Sequence, residues 1–341
     1  MELINILNTI RANATATYQE RIPEATRENL ESIRYAMISE DNIQVANEFM
    51  SSLLNKLVKS VVHTKMFNNP LKSLKKGKKP LGDTIEEIYT NFVKGNVPDQ
   101  TGAGLLTRHL PDTKTVYHRM NYSQQYAISV DRKRLSKAFA SWENLETYIN
   151  DLISKLYSSA NWDEYLNMKD LIKSAFDKGA IKTIDVVDPL ESKTNAEEFI
   201  KSVKTISGLM QYPSKEFNGY LTAQSSDNKP ITTFSRKDEQ ILLIDEATNV
   251  SVAVDVLAAA FNMSVVEFNE TKKIVVDTFP VDGVRAALVD DAFFQVYDDF
   301  FAITEFFNGQ GVYTNYYLNV DQTLAYSILV NAVAFKVKAS A

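Results

Sequence analysis

The amino-acid sequence predicts an α+β fold with an elongated two-layer body. Residues 116–130 alternate apolar and polar side chains with the period of a β-strand, over a length of roughly 50 Å at 3.3 Å per residue. Residues 141–176 then show helical periodicity without a proline, and reach about as far at 1.5 Å per residue. The 165 residues that follow mix helical and strand patterns, which is typical of an α+β protein.

The first sixty residues are predicted to be mainly helical, with a break at Pro23. Glu24–Met37 and Ile43–Val62 both carry apolar residues at helical spacing. Residues 63–113 differ, because four prolines and five glycines interrupt them. That stretch is too irregular for a compact core and too long for an ordinary connection. We therefore expect residues 63–113 to extend away from the core of the chain, to serve a function there, and to be buried against something other than that core.

Charge is distributed unevenly along the chain. The net formal charge is −4 over residues 1–50, +10 over 51–140 and −12 over 141–341, against −6 for the whole chain. Five lysines fall within eight positions: Lys72, Lys75, Lys76, Lys78 and Lys79. Such close ammonium groups repel one another, so this part is predicted to be an exposed, extended loop. It is either simply solvated or contacts an anionic partner, which could be nucleic acid or the acidic surface of another copy.

In the predicted strand the even positions form the more apolar face, and His118 lies on that face. Ser141 is a candidate cap for the helix that follows, with Glu143 in its first turn. The helix is predicted to be anchored in the core by Trp142 and Trp162. The elements predicted beyond it are a helix Asn195–Met210, a strand Gln240–Asp245, a helix Val252–Phe261, a strand Lys273–Thr278, a strand pair Val284–Tyr297 and a β-rich stretch Val312–Lys338.

The sequence contains few residue patterns that indicate catalysis or ligand binding. It has no cysteine, no apolar run long enough to span a membrane, no signal peptide and no phosphate-binding glycine motif. His118 is predicted to be a packed or hydrogen-bonded histidine. Asp298 and Asp299 are read as a turn or the start of a helix, although an acid pair of a cytosolic α/β enzyme is the alternative. We therefore predict no catalytic, cofactor-binding or metal-binding residue, and no enzyme.

Several blocks of sequence resemble one known family. The first is NPLKSLKKGKKPLGDTIEEIY at residues 69–89, and the last is GVYTNYYLNVDQTLAYSILVNAVAF at 311–335. Between them lie LSKAFASWENLETYINDLISKLY (135–157), residues 163–179, DVLAAAFNM (255–263) and ALVDDAFFQVYD (287–298). In this order they are similar to the major capsid protein of the phi29-like short-tailed phages (podophages). Residues 1–60 match poorly.

The resemblance implies the HK97-like capsid fold used by tailed-phage shells. It implies an N-terminal arm over 1–69, an E-loop over 70–115, a P-domain with a long strand and spine helix over 116–189, an A-domain over 190–310, and returning P-domain strands over 311–341. In this assignment the basic excursion orders only by lying over a neighbouring subunit, and Lys72, Lys75, Lys76, Lys78 and Lys79 make contacts between subunits.

The implied function is a major capsid protein. Copies of the chain would assemble in the host cytoplasm into pentamers and hexamers of an icosahedral or prolate virion shell. The implied partners are a scaffolding protein, the portal and packaged double-stranded DNA bound without sequence specificity, with no membrane. We also expect no immunoglobulin-like domain, no covalent cross-link and a separate scaffolding protein. The alternative is an encapsulin-type compartment, which has the same fold but holds enzymes.

Overall fold

A computed structural model describes residues 3–38, 42, 44–50, 52, 67–80, 82–97, 101–102, 107–131, 142–223, 229–252 and 272–338. The chain divides into two compact units. The first comprises residues 1–69, 122–164 and 298–322, and the second comprises 70–121, 165–297 and 323–341. Because the chain passes between the units several times, each unit is assembled from segments distant in sequence.

Both helices and strands occur along the described residues. The α-helices are α1 Leu3–Ala12, α2 Ala16–Arg21, α3 Leu30–Ile38, α4 Trp142–Asp177, α5 Lys193–Leu209, α6 Tyr220–Ala223 and α7 Glu246–Ser251. The strands are β1 Gly77–Lys78, β2 Ile85–Thr90, β3 Thr113–His118, β4 Tyr122–Asp131, β5 Lys182–Val186, β6 Gln240–Asp245, β7 Lys273–Val276, β8 Val284–Asp290, β9 Phe294–Asn308, β10 Tyr313–Tyr326 and β11 Ala332–Val337. This mixed content confirms the α+β prediction.

The first unit has a core of helices packed on one face of a sheet. Strand β4 pairs antiparallel with β10, from Tyr313 opposite Asp131 to Gln322 opposite Tyr122. In this unit the strand order is β9-β10-β4. Its buried residues come from every segment of the unit, including Ile10, Phe49, Val130, Leu156 and Tyr316. The N-terminal helices are therefore part of this core, because their apolar stripes face it.

The second unit is built on a five-stranded mixed sheet of order β5-β11-β8-β6-β7. Its central strands are almost fully buried, as expected for a sheet covered on both faces. Helix α5 is capped at its N-terminus by Ser192, whose hydroxyl accepts a hydrogen bond from the Asn195 amide. Phe199 of α5 meets Phe335 of β11 edge-on, with ring centroids 5.9 Å apart. These contacts give the unit an apolar core of its own.

Most of the predicted elements are present. The long helix is confirmed as Trp142–Asp177, and the strand Gln240–Asp245 is confirmed at both ends. The predicted strand pair over Val284–Tyr297 is also present, although its second strand continues to Asn308. The predicted helix at Val252–Phe261 falls mainly on residues 253–271, and the predicted cap Ser141 falls on 132–141; both lie outside the described residues.

Two element predictions are wrong in extent. The single strand predicted over 116–130 is the end of β3 followed by β4, and residues 119–121 are not in a strand. In both strands the even positions are the more buried ones, as the alternation predicted. Helix α3 begins at Leu30 instead of Glu24, because the Asn29 side chain binds the backbone of Glu24 and Thr26 in a turn.

Candidate functional site

The segment that contains the five lysines, residues 70–80, is held by its own chain in the second unit. We call it the lysine segment. Pro70–Leu74 forms a 3₁₀ turn, which places Leu71 and Leu74 on the same side. Both leucines are buried, with 0% and 3% of their surface exposed. The predicted extended loop is therefore wrong for this part, because two apolar anchors fix it despite the surrounding charge.

Backbone hydrogen bonds fix the second half of the lysine segment. The Lys76 amide donates to the Val296 carbonyl at 2.9 Å, which brings Gly77–Lys78 alongside β9 as strand β1. The Lys76 ammonium donates to the Asp291 carbonyl at 2.6 Å. Gly77 has φ +119°, a conformation that other residues rarely adopt. The expectation that residues 70–115 order only on a neighbour is therefore wrong for residues 70–80.

The five lysine side chains do not share one environment. Lys72, Lys76 and Lys78 are exposed, whereas Lys75 and Lys79 are half-buried. The Lys79 ammonium donates to the carbonyl of Asp83. The lysine segment thus exposes positive charge to solvent while its backbone is held in place. Its charged groups therefore form a defined surface.

Beyond the lysine segment, strands β2 and β3 form an antiparallel hairpin with Ile85 opposite His118 and Thr90 opposite Thr113. On one face, which we call the inner face, His118 is buried and its Nε2 lies 2.7 Å from Glu87 Oε2. The prediction that His118 is a packed, hydrogen-bonded histidine is confirmed. The outer face carries Ile88 and Tyr117, both largely exposed, and the Tyr117 hydroxyl donates to Glu86 at 2.9 Å.

The chain next to the hairpin strands exposes large apolar side chains. Val93, Val97 and Leu110 are 82%, 92% and 81% exposed, and Phe92 is more than half exposed. Single exposed apolar residues are ordinary, but several of them close together in sequence indicate a surface that binds something. The outer face of the hairpin, with the exposed Val93, Val97 and Leu110 next to it, therefore has the composition of an interaction surface.

The other end of the hairpin's inner face contacts residues 230–234 of the same unit. The Tyr89 hydroxyl donates to the Thr232 carbonyl, and the Asn91 side chain binds the backbone of Pro230 and Thr232. Burial raises the pKa of Tyr89, which keeps its hydroxyl a hydrogen-bond donor. Nothing in the sequence analysis pointed to these contacts.

A buried carboxyl lies in the turn that anchors the lysine segment. Asp290 ends strand β8 and is buried; its carboxylate accepts hydrogen bonds from the Ser235 hydroxyl and from the Ala292 amide. Burial, together with the negative charges of Asp291 and Glu239, raises the pKa of Asp290 to about 6, although the hydrogen bonds from Ser235 and Ala292 act in the opposite direction. The adjacent Asp291 supplies the carbonyl that Lys76 binds.

In the first unit, Asp298 and Asp299 are not a catalytic pair. Both lie inside strand β9, so the prediction of a turn or helix start is wrong. Neighbouring residues of a strand point to opposite faces, which separates the two carboxylates. Asp298 accepts a hydrogen bond from Gln322 at 2.8 Å, and Gln322 also donates to the buried Glu164 at 3.0 Å. These groups form a structural hydrogen-bond network.

The prediction that the tryptophans anchor the long helix in the core is wrong for Trp162. Trp162 is partly exposed and meets Phe67 edge-on, with ring centroids 5.1 Å apart, so it does not anchor the core. The Trp142 side chain lies outside the described part. Among the described residues, no three His, Cys, Asp or Glu side chains are grouped as metal ligands would be. No helix in the described ranges combines the length and apolarity that a membrane span requires.

Comparison with known proteins decides the family. A sequence model described as "Phi29-like phage major capsid protein" matches residues 7–336. The chain belongs to the Phi29-like major capsid protein family. It is 34% identical over 340 residues to the major capsid protein of Bacillus phage PZA, covering 98% of this chain and 73% of that protein. The Bacillus phage B103 protein gives the same identity and coverage.

Solved structures agree on the fold. The capsid structure of Staphylococcus phage Andhra superimposes with a TM-score of 0.64 at 12% identity, covering 80% of this chain and 85% of that one. The HK97-like capsid fold is thereby established. This is a structural protein of tailed phages and not an enzyme, as predicted, and the encapsulin alternative is not favoured. Capsid proteins of this kind form the virion shell from copies of themselves.

Proposed function

We propose that this capsid protein assembles into pentamers and hexamers of an icosahedral or prolate shell that encloses double-stranded DNA. Assembly takes place in the host cytoplasm with a scaffolding protein and a portal as partners. Within the shell, residues 70–115 act as E-loop, 116–189 and 311–341 as P-domain, and 190–310 as A-domain. The long helix Trp142–Asp177 supports this assignment, since it has the position expected of the spine helix.

The observation that carries the proposal is the exposed apolar surface next to the hairpin strands. Val93, Val97 and Leu110 are more than four-fifths exposed. Covering such side chains with a neighbouring copy stabilises the contact by roughly 25 cal/mol per Å² of apolar surface. Because every copy in a shell donates one hairpin, modest contacts add up over the particle. The apolar part of the contact with the neighbour is thus made by residues 85–118 and not by the lysine segment.

The lysine segment supplies an electrostatic contact in this proposal. Lys72 and Lys78 are exposed on a fixed backbone, and residues 141–341 carry a net charge of −12. A basic surface on one copy then faces an acidic surface on the next. Such complementary charges increase the rate and the specificity of docking more than they increase its affinity. Exposed charges are screened beyond about 10 Å at 0.1 M salt, so high salt weakens this contact.

The acidic net charge of the chain, −6, suits a DNA container. Duplex DNA is polyanionic, and a lining with excess basic groups would hold it and oppose both filling and ejection. DNA inside the shell is therefore held by confinement and bound without sequence specificity.

The experiment compares assembly of three double variants with that of the unaltered chain. Val97→Asp with Leu110→Asp places charge on the apolar surface, and Lys72→Glu with Lys78→Glu reverses the exposed lysines. Particle yield is measured by sucrose gradient and negative-stain electron microscopy. We expect the first variant to abolish particles and the second to reduce them strongly, more so at low salt, while both remain folded by circular dichroism.

The matched control is Lys201→Glu with Lys204→Glu, which reverses two exposed lysines on helix α5 and is expected to leave particles intact. Normal particles from the Val97/Leu110 variant would refute the hairpin contact. Normal particles from the Lys72/Lys78 variant would refute the electrostatic contact. DNA that resists nuclease inside purified particles distinguishes a genome container from an enzyme compartment.

A further inference from the structure

The extended segment Pro230–Phe234 in the second unit has one buried side and one side turned towards the hairpin. Ile231 and Thr233 are buried. The Thr233 backbone pairs with Ser214, and its hydroxyl donates to Asn331 at 2.5 Å. Asn218 donates to the Ile231 carbonyl at 3.2 Å. These bonds fix the segment from behind, so its outward polar backbone groups sit at defined positions.

The side chains of Tyr89 and Asn91 form hydrogen bonds with those outward backbone groups, as a neighbouring strand would. The Thr232 amide donates to Asn91 Oδ1 at 3.1 Å, and Asn91 Nδ2 donates to the Pro230 carbonyl at 3.2 Å. The Tyr89 hydroxyl donates to the Thr232 carbonyl. One amide and one phenol thus pair both backbone groups of Thr232. Because unpaired strand edges attract other chains, this pairing also protects the edge of the segment.

Charged and aromatic groups support the pairing. Asp112 accepts from Asn91 Nδ2 at 3.3 Å and lies 3.1 Å from the Lys114 ammonium. That ammonium lies 5.9 Å from the centre of the Tyr220 ring, within cation–π range. The Phe92 ring lies 6.2 Å from the Phe234 ring. The hairpin is therefore fixed to its own unit at the end where the exposed apolar side chains begin.

We propose that Tyr89 and Asn91, with Pro230–Phe234, form a latch that positions the hairpin for assembly before any neighbour is present. The inner face, Asn91 and Phe92 bind the subunit's own chain, while the outer face and the exposed Val93, Val97 and Leu110 stay available to the next copy. A hairpin held in one orientation loses less conformational entropy when it docks, so contacts form at lower protein concentration. This inference rests on the proposed function of the hairpin.

The test removes the latch without touching the docking surface. Tyr89→Phe deletes one hydroxyl, and Asn91→Ala deletes the amide. Hydrogen exchange is measured on unassembled subunits, and the assembly threshold by light scattering against concentration. We expect Asn91→Ala to speed exchange of the Thr232 amide about fivefold, as loss of one hydrogen bond implies. The threshold concentration should rise about threefold or more, because preorganisation is lost.

Thr205→Ala is the control, because Thr205 is exposed on helix α5, outside both the latch and the docking surface. It should alter neither measurement. Unchanged exchange at Thr232 in Asn91→Ala would show that the latch does not form in solution. Faster exchange with an unchanged threshold would show that the latch does not position the hairpin. Either result overturns the inference. Failure of the hairpin contact itself appears separately, as normal particles from the Val97/Leu110 variant.

Discussion

The lysine segment and the hairpin follow one another in the chain, yet they obtain their order in opposite ways. The lysine segment is the most charged stretch of the sequence and still buries two leucines and pairs its backbone with β9. The hairpin is regular β-structure and still leaves large apolar side chains in solvent. Charge density therefore says little about whether a segment is anchored. What matters is whether its few apolar residues find a place in the subunit's own core.

The sharpest way to test this difference is to shorten one leucine in each region. Leu71→Ala removes a fully buried side chain and is expected to lower the free energy of unfolding by about 2–5 kcal/mol. Leu110→Ala removes an exposed one and is expected to change it by less than about 0.5 kcal/mol. Urea unfolding of the unassembled chain, followed by circular dichroism, gives both values.

The same two variants separate folding from assembly. Leu110→Ala should lower particle yield although the subunit is as stable as before, whereas Leu71→Ala should lower both together. Equal stability losses in the two variants would mean that the lysine segment is no better anchored than the hairpin, and the contrast between them would be lost.

Much of the fold was predictable because local patterns and tertiary burial agree in it. The period of residues 141–176 predicted helix α4, and Gln240–Asp245 was placed correctly from one short apolar run. Strands β2 and β5 were missed. Ile85–Thr90 contains two adjacent glutamates, and Lys182–Val186 mixes lysine and aspartate with its apolar residues. Their strand state comes from pairing with β3 and β11, which is not visible locally.

The candidate site was less predictable for a similar reason. The sequence drew attention to the lysines, but the contacts that fix the excursion come from Leu71, Leu74, Tyr89 and Asn91. Asn91 lies about 140 positions from its partners Pro230 and Thr232. No pattern within a short window connects such residues. The resemblance of residues 69–89 to capsid proteins implied that this part of the chain contacts other subunits, whereas the face that is bound within the subunit itself follows only from the hydrogen bonds of Tyr89 and Asn91 with residues 230–232.

The turn under the lysine segment allows a second test, through pH. Because the folded protein holds the pKa of Asp290 at about 6 against an ordinary 3.8, the folded state binds a proton more tightly than the unfolded state. The contribution of Asp290 to stability is therefore greatest at low pH. It falls as pH rises from about 4 to 6, by roughly 1.4 kcal/mol per unit and ~3 kcal/mol in all.

Asp290→Asn should remove that slope, since an amide does not titrate and can still accept from Ala292 and donate to Ser235. We expect the variant to match the unaltered chain near pH 4 and to be more stable at pH 7. Urea unfolding at half-unit pH steps, with Asp282→Asn as an exposed control, measures this. If both chains show the same slope between pH 4 and 6, the carboxyl is not buried in the manner described.

The smallest expected effect lies inside the lysine segment, between two lysines that are both exposed. Lys76→Gln loses the ammonium bond to the Asp291 carbonyl but keeps the backbone bond to Val296, so it should cost about 0.5–1 kcal/mol. Lys72→Gln should stay within about 0.5 kcal/mol of the unaltered chain. Unfolding measured in parallel would rank them. Since Lys72 is proposed to face a neighbour and Lys76 to bind its own chain, Lys72→Gln should lower particle yield at low salt more than Lys76→Gln does. The opposite order would reverse the roles assigned to the two side chains.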